Sequence, residues 1–471
     1  MTALNPALLA RFAALVGERH ALRDPLDQVP FLKEWRERYL GDTPLVLLPG
    51  STQEVSAILA LADETGTPIV PQGGNTGLVG GQIPNPGGRE ILVSLKRLNR
   101  IRALDPAGNT LDVEAGVTLK TAQEAAQAAG RLFPLSLASE GSCTIGGNIS
   151  SNAGGTAVIA YGNMRDLVLG LEVVLADGRI WRGLRHLRKD NTGYDLKNLF
   201  IGAEGTLGIV TAAVLKLFPR PRAVATAFVG VPSPAAALDL LQLAREEGGG
   251  NVTSFELMPR RGVEFVMAHV PGARDPLGSP HPWYVLIEIS SFLPAGLDEA
   301  VETLLANALE RGIVSDGALA ASLDQAAAFW RLREMLSEVQ KHEGGSIKHD
   351  IAVPVRLVPA FLEKAIPAVE AFVPGARPVP FGHLGDGNLH FNITQPAGGD
   401  KQAFLDRWED VNALVHGIVG EFGGSISAEH GIGRAKRDLL PGVKDPVEMA
   451  MMRAVKATLD PKNILNPGKV L

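Results

Sequence analysis

Pro71-Gln-Gly-Gly-Asn-Thr-Gly-Leu-Val-Gly-Gly81 follows directly on the apolar run Pro68–Val70, and this junction decides the fold. Closely spaced glycines after a strand let several backbone N–H groups converge on one anion, and such a nest can cradle a pyrophosphate. A merely tight loop is the other reading, because glycine turns are common. Neither the nicotinamide fingerprint G-x-G-x-x-G nor the Walker pattern occurs anywhere in the chain, so these two nucleotide loops are set aside.

Two further clusters follow. Glu140-Gly-Ser-Cys-Thr-Ile-Gly-Gly-Asn-Ile-Ser-Ser-Asn-Ala-Gly-Gly155 mixes small residues with hydroxyls and amides, which suits a backbone pressed against a flat ligand. Phe200-Ile-Gly-Ala-Glu-Gly-Thr-Leu-Gly-Ile-Val210 has apolar flanks of strand character. Three clusters between Pro71 and Val210 weigh against three unrelated turns.

Around them, β-rich runs alternate with helical patterns from Pro44 to Pro219, an α+β or α/β signature. Leu45–Leu48 and Ile91–Leu95 read as strands, and Thr52–Thr65 as a helix with Val55, Ile58, Leu59 and Ala62 on one face. Pro219-Arg220-Pro221 marks a boundary, because two prolines stop regular structure. Beyond it, strands (Ala225–Val231, Tyr284–Ile289) and helices (Pro234–Glu247, Leu297–Arg311) predict a second α+β domain. Ala268–Pro282 reads as a surface loop. Ser322–His342 predicts one strong helix opened by a capping box of Ser322 and Gln325. Further helices are expected at Lys401–Phe422 and Val447–Leu459.

Composition narrows the classes. A chain of 471 residues suggests two or three domains. Its 45% apolar and 20% charged residues are those of a globular protein. Net charge −6 argues against a nucleic-acid partner, and no apolar run is long enough to span a bilayer. Asn5–Val16 lacks a basic start and is interrupted by Arg11, so it reads as a short amphipathic helix rather than a leader. The sole cysteine, Cys143, rules out an internal disulfide. A cytoplasmic protein is expected, with peripheral attachment at an inner membrane also compatible.

Together the glycine clusters resemble the FAD-binding domain of the vanillyl-alcohol oxidase / p-cresol methylhydroxylase superfamily over roughly Pro44–Pro219. The resemblance implies an α+β fold: a two-subdomain FAD-binding domain of the p-cresol methylhydroxylase type, an α+β substrate domain with an antiparallel sheet, and a helical C-terminal part. The corresponding boundaries are 1–43 for an N-terminal helical segment, 44–219 for the FAD domain, 220–425 for the substrate domain and 426–471 for a segment completing the active site. It also implies FAD contacts from Pro71, Gly73, Gly74, Asn75, Thr76, Gly77 and Leu78 in the first cluster. The second supplies Ser142, Cys143, Thr144, Gly146, Gly147, Asn152, Gly154 and Gly155. The third supplies Glu204, Gly208 and Ile209, joined by Asn466 near the C-terminus. Members with histidyl-linked flavin carry a histidine in the first loop. None stands there here, so the FAD is expected to be non-covalent.

The sharpest local signal is Pro380-Phe-Gly-His-Leu-Gly-Asp-Gly-Asn-Leu-His-Phe-Asn-Ile393. Asp386-Gly387 between strand-like flanks predicts a two-residue type I′ hairpin. In that register Gly385 pairs with Asn388, and His383 lies directly opposite His390, with Asn392 on the same face. The facing imidazoles suit one shared metal, while two satisfied core histidines are the bland alternative. A catalytic zinc site usually has three protein ligands, and Glu429 and His430 in Ser427-Ala-Glu-His-Gly-Ile-Gly433 are candidates to complete it.

The hairpin, Ala428–Gly433 and Leu459-Asp-Pro-Lys-Asn-Ile-Leu-Asn-Pro-Gly468 are similar to the D-2-hydroxy-acid dehydrogenase branch of the superfamily, which includes D-lactate dehydrogenases, the glycolate oxidase flavin subunit and D-2-hydroxyglutarate dehydrogenase. That similarity implies a divalent metal, zinc first, on His383, His390 and Glu429, with His430 as the base and Asn392 near the substrate. Arg333, Ser337 and Lys348 match substrate-carboxylate positions of the D-2-hydroxyglutarate enzymes, the nearest members; Ser337 replaces a familiar threonine. A dicarboxylic acid is therefore expected, D-2-hydroxyglutarate first and D-malate second. A D-lactate dehydrogenase or a glycolate oxidase flavin subunit is the alternative. The resemblance also implies an electron acceptor such as an electron-transfer flavoprotein or a quinone chain, and a homodimer is compatible with it. A zinc hydrolase would explain the histidines but not the glycine clusters; a non-catalytic flavoprotein subunit would not need the metal and base set.

Overall fold

A computed structural model describes residues 4–471; residues 1–3, the start of the expected N-terminal segment, lie outside the described residues. The chain forms two compact units, one of Met1–Gly155, Gly162–Arg220 and Glu429–Leu471, the other of Thr156–Tyr161 and Pro221–Ala428.

The first unit holds two larger sheets and a two-stranded ribbon of Arg131–Leu132 with Phe218–Pro219. In the four-stranded one, Ile69–Gln72 and Val46–Leu47 flank Ile91–Ser94 in parallel. Helix Thr52–Thr65 makes the crossover that parallel strands require. The Ser51 hydroxyl caps its start by accepting the Glu54 N–H, and Gly66 ends it in the left-handed conformation. Val55, Ile58, Leu59 and Ala62 are fully buried in one core with the sheet, as their spacing predicts. The second sheet is antiparallel, in the order Ile101–Asp105, Thr110–Glu114, Ile209–Lys216, Val168–Val174, Ile180–Gly183. Two sheets around one cofactor-type loop system are the two subdomains expected.

The second unit is built on an eight-stranded antiparallel sheet with Trp283–Ser291, Asn251–Pro259, Arg377–His383 and Asn388–Thr394 at its centre. Helices Pro234–Glu247, Leu297–Glu310, Val358–Phe372 and Trp408–Glu421 bury their apolar stripes on one face, with Phe255, Leu257, Leu389, Phe391 and Ile393. Helices Arg260–His269 and Leu323–Glu334 cover the other, over Met258, Tyr284, Val379 and Phe381. Side chains alternate across a strand. Glu256, His383, His390 and Asn392 therefore share this second face with Met258 and Phe381.

Two expected helices are each interrupted. The helix expected over Ser322–His342 runs Leu323–Glu334, breaks at Met335, and resumes as a short turn at Leu336–Val339 and a 3₁₀ segment at Gln340–Glu343. The Ser322 hydroxyl does accept the Gln325 N–H, but Gln325 reaches back to the Ala321 N–H, one residue early for a closed box. Lys401–Phe422 divides into Lys401–Leu405 and Trp408–Glu421.

Candidate functional site

The glycine clusters of the first unit mesh with one another. A Cβ on Gly74 would stand 2.0 Å from the Ser142 carbonyl oxygen, and one on Gly73 2.4 Å from the Thr144 hydroxyl. The first loop can therefore lie against the second only as glycine. Thr144 opens helix Ile145–Ser151, its side chain accepting the Gly147 N–H. Several side chains assigned to the cofactor by resemblance are used inside this scaffold. Asn75 donates to the Pro30 and Lys33 carbonyls, and Asn152 accepts the Arg165 N–H. Asn466 bridges the carbonyls of Gly81 and Glu204, tying the first cluster to the third. Gly146 lies close on Ala115, and Gly208 on Val173 and Phe200, so packing alone accounts for both. Two acceptors here, Gln72 Oε1 and Asn466 Oδ1, are buried with no hydrogen-bond partner among the described residues. Unpaired buried acceptors are rare and call for a donor that the chain does not supply. Cys143 is buried, and burial pushes its thiol pKa up, which disfavours the thiolate needed for a covalent link.

The same unit places Glu429 and His430. The Gly155 N–H donates to Glu429 Oε1 at 2.7 Å, so the second glycine cluster ends on this carboxylate. A carboxylate oxygen of Glu429 and a ring nitrogen of His430 lie within 4.8 Å of each other. Three residues on, the Ile432 and Gly433 N–H groups donate to the two oxygens of Glu204 at 2.7 and 2.8 Å. Its carboxylate is thus turned to the C-terminal loop.

In the second unit the hairpin differs from the expected register. His383 pairs with Asn388 and Phe381 with His390, leaving a four-residue loop, Leu384–Gly387, in place of a two-residue one. Asp386 and Gly387 both donate their N–H groups to the His383 carbonyl. Only Gly387 of the pair has positive φ, +86°, so the turn is not type I′, which needs it at both positions. The slip is two residues, one full period of a strand, so every side chain keeps its face. His383 and His390 become diagonal neighbours with ring centroids 5.5 Å apart and one nitrogen of each within 4.8 Å of the other.

Behind His383 stands a residue that the sequence reading missed. Glu256 is fully buried; its Oε1 lies 2.7 Å from His383 Nδ1 and its Oε2 accepts Arg333 Nε at 2.6 Å. Burial alone would raise its pKa, yet the charges of Arg333 and His383 overcome that and hold it at about 2. A carboxylate on Nδ1 fixes the tautomer that presents Nε2 as the ligating atom, the usual support of a metal-bound histidine. The available signal was a charged residue inside an otherwise apolar run, Phe255-Glu-Leu-Met258.

Arg333 is buried, with its guanidinium 4.8 Å from the Phe381 ring centroid. Because the helix breaks at Met335, Ser337 is not one turn along the same helix as expected; its carbonyl and hydroxyl both accept from Lys348 Nζ, at 2.8 and 3.1 Å. Lys348 and His349 lie between two short strands, Ser346–Ile347 and Asp350–Ala352. Asn392 is buried and donates to Gln340 Oε1 at 3.1 Å.

A family model described as the FAD binding domain matches residues 43–183, and one described as FAD linked oxidases, C-terminal domain, matches 220–470. The chain belongs to the FAD-linked oxidase family. It is an FAD-dependent oxidoreductase with curated relatives along its whole length. A mitochondrial D-2-hydroxyglutarate dehydrogenase of Arabidopsis thaliana is 38% identical, over 100% of this chain and 82% of its own. A D-2-hydroxyglutarate dehydrogenase of Xanthomonas citri pv. viticola is 38% identical over 95% and 93%. Among solved structures, p-cresol methylhydroxylase with substrate bound superposes with a TM-score of 0.75 at 17% identity, covering 98% of this chain and 96% of the other. This last likeness concerns the fold alone.

Proposed function

We propose that the protein oxidises a dicarboxylic D-2-hydroxy acid, D-2-hydroxyglutarate before D-malate, to the 2-oxo acid, with non-covalent FAD and a divalent cation. The observation that carries this reading is the buried line His383–Glu256–Arg333, which joins a candidate metal ligand to a candidate carboxylate partner through one shared anion. The printed names of the relatives supply the substrate class.

His383, His390 and Glu429 would hold the cation. The donor set of imidazole nitrogens and a carboxylate suits zinc, manganese or cobalt. Support comes from the path of the chain: Asp350 pairs across the sheet with His390, the Ala428 N–H donates to the Asp350 carbonyl at 3.3 Å, and Glu429 is the next residue. When bound, FAD supplies a two-electron acceptor for the C2 hydrogen, and the cation supplies Lewis acidity that lowers the pKa of the substrate hydroxyl. His430 takes that hydroxyl proton. Asn392 and the guanidinium of Arg333 orient the acid, and Lys348 with Ser337 holds its second carboxylate. A partner such as an electron-transfer flavoprotein or a quinone-linked chain would serve as the electron acceptor.

The metal part is tested by His383→Ala and His390→Ala. Each should abolish turnover while the flavin spectrum stays intact, and chelation of wild type should do the same until zinc, manganese or cobalt is returned. Full turnover in a verified metal-free preparation would sink it.

A further inference from the structure

We propose that Glu204 is a positioning residue, whose carboxylate clamps the Glu429–Gly433 loop to the third glycine cluster and so fixes where His430 stands. This rests on the reading of His430 as the base. The loop is short, contains two glycines and is not part of any helix or strand, so its own backbone does little to hold one conformation. It is anchored near both ends. The Gly155 N–H holds Glu429, and Glu204 receives the N–H groups of Ile432 and Gly433, one on each oxygen. The fit is close on the clamp side too: a Cβ on Gly431 would lie 2.6 Å from Glu204 Oε1.

Glu204 itself is held firmly. Its N–H donates to the Ser150 carbonyl, its own carbonyl accepts from Asn466, and its φ is +51°, a left-handed conformation unusual for glutamate. Backbone strain of this kind persists only where the surroundings over-determine it. Two adjacent N–H donors need two acceptors on one rigid group, which a carboxylate has and a carboxamide lacks, because a Gln would turn its own N–H₂ against one donor. The arrangement is not the cheapest for stability, since desolvation pushes the Glu204 pKa up to about 7 against the two N–H groups and the Lys436 charge. Such a cost is expected where geometry serves function.

The test uses FAD-loaded Glu204→Gln and Glu204→Asp, the second keeping the charge but shortening the reach. Hydrogen–deuterium exchange of the 429–433 segment, read by mass spectrometry without substrate, should be at least about tenfold faster in both than in wild type. Expressed per bound flavin, kcat should fall roughly tenfold to a hundredfold while KM moves less than about threefold. Wild-type protection of the segment in both variants would overturn the proposal, as would wild-type kcat in a variant whose segment exchanges faster. If wild type oxidises no D-2-hydroxy acid, the proposed activity fails instead, and the exchange rates still decide on the clamp.

Discussion

Lys348 already spends part of its hydrogen-bonding capacity on the carbonyl and hydroxyl of Ser337, which fixes its ammonium group instead of leaving it on a mobile stem. A second substrate carboxylate in a closed site needs such a fixed cation, because an unpaired buried charge is strongly disfavoured. Losing a charged hydrogen bond costs about 1.5–3 kcal/mol, or roughly tenfold to over a hundredfold in kcat/KM. Lys348→Ala should therefore damage turnover of D-2-hydroxyglutarate far more than of D-lactate, and equal slowing of both would remove the dicarboxylate assignment. Glu204 gives a pH prediction of definite sign. Its folded pKa, about 7, lies above the ordinary 4.5, so between these values the folded protein binds the extra proton. Stability from this group is thus present at low pH and lost as pH rises toward 7. The melting temperature of wild type minus that of Glu204→Gln should fall from pH 5 to pH 8; a difference that stays level would show that Glu204 is ionised throughout.

Gly387 has φ +86°, and a Cβ there would stand 2.1 Å from the Val353 carbonyl oxygen, on backbone that cannot swing aside. Gly387→Ala should cost about 1–3 kcal/mol from strain alone, visible as a lower melting temperature together with weaker metal binding, since the loop sets the spacing of His383 and His390. Unchanged melting and metal binding would show the loop to be incidental. Face and register part company here. The shared face of His383, His390 and Asn392 was legible because alternation survives a slip of two residues. The register was not, because Asp-Gly suits both a two-residue loop and a longer one whose last residue is left-handed, and the Val353–Gly387 contact that selects between them is remote in sequence. Helix Thr52–Thr65 was legible to the residue because both of its caps are local. The break at Met335 carries no glycine or proline to announce it.

At the scale of the whole molecule, the FAD loops and the metal and base candidates were readable as clusters of unusual residue types. Their supports were not. Glu256 meets His383 and Arg333, and Glu204 meets Ile432 and Gly433, across spans of sequence that only the fold closes. Glu256 stands in no motif, and Glu204, though it lies in the third glycine cluster, carries no local sign of its partners in the C-terminal loop. Among the described residues no helix is long and apolar enough to cross a membrane. Flavin-linked oxidation of a dicarboxylic D-2-hydroxy acid can be seen in the visible spectrum of the FAD-loaded protein under anaerobic addition of substrate. D-2-hydroxyglutarate should bleach the flavin band fastest, D-malate more slowly and D-lactate slowest. A band that keeps its full intensity with D-2-hydroxyglutarate, or bleaches fastest with D-lactate, would contradict it.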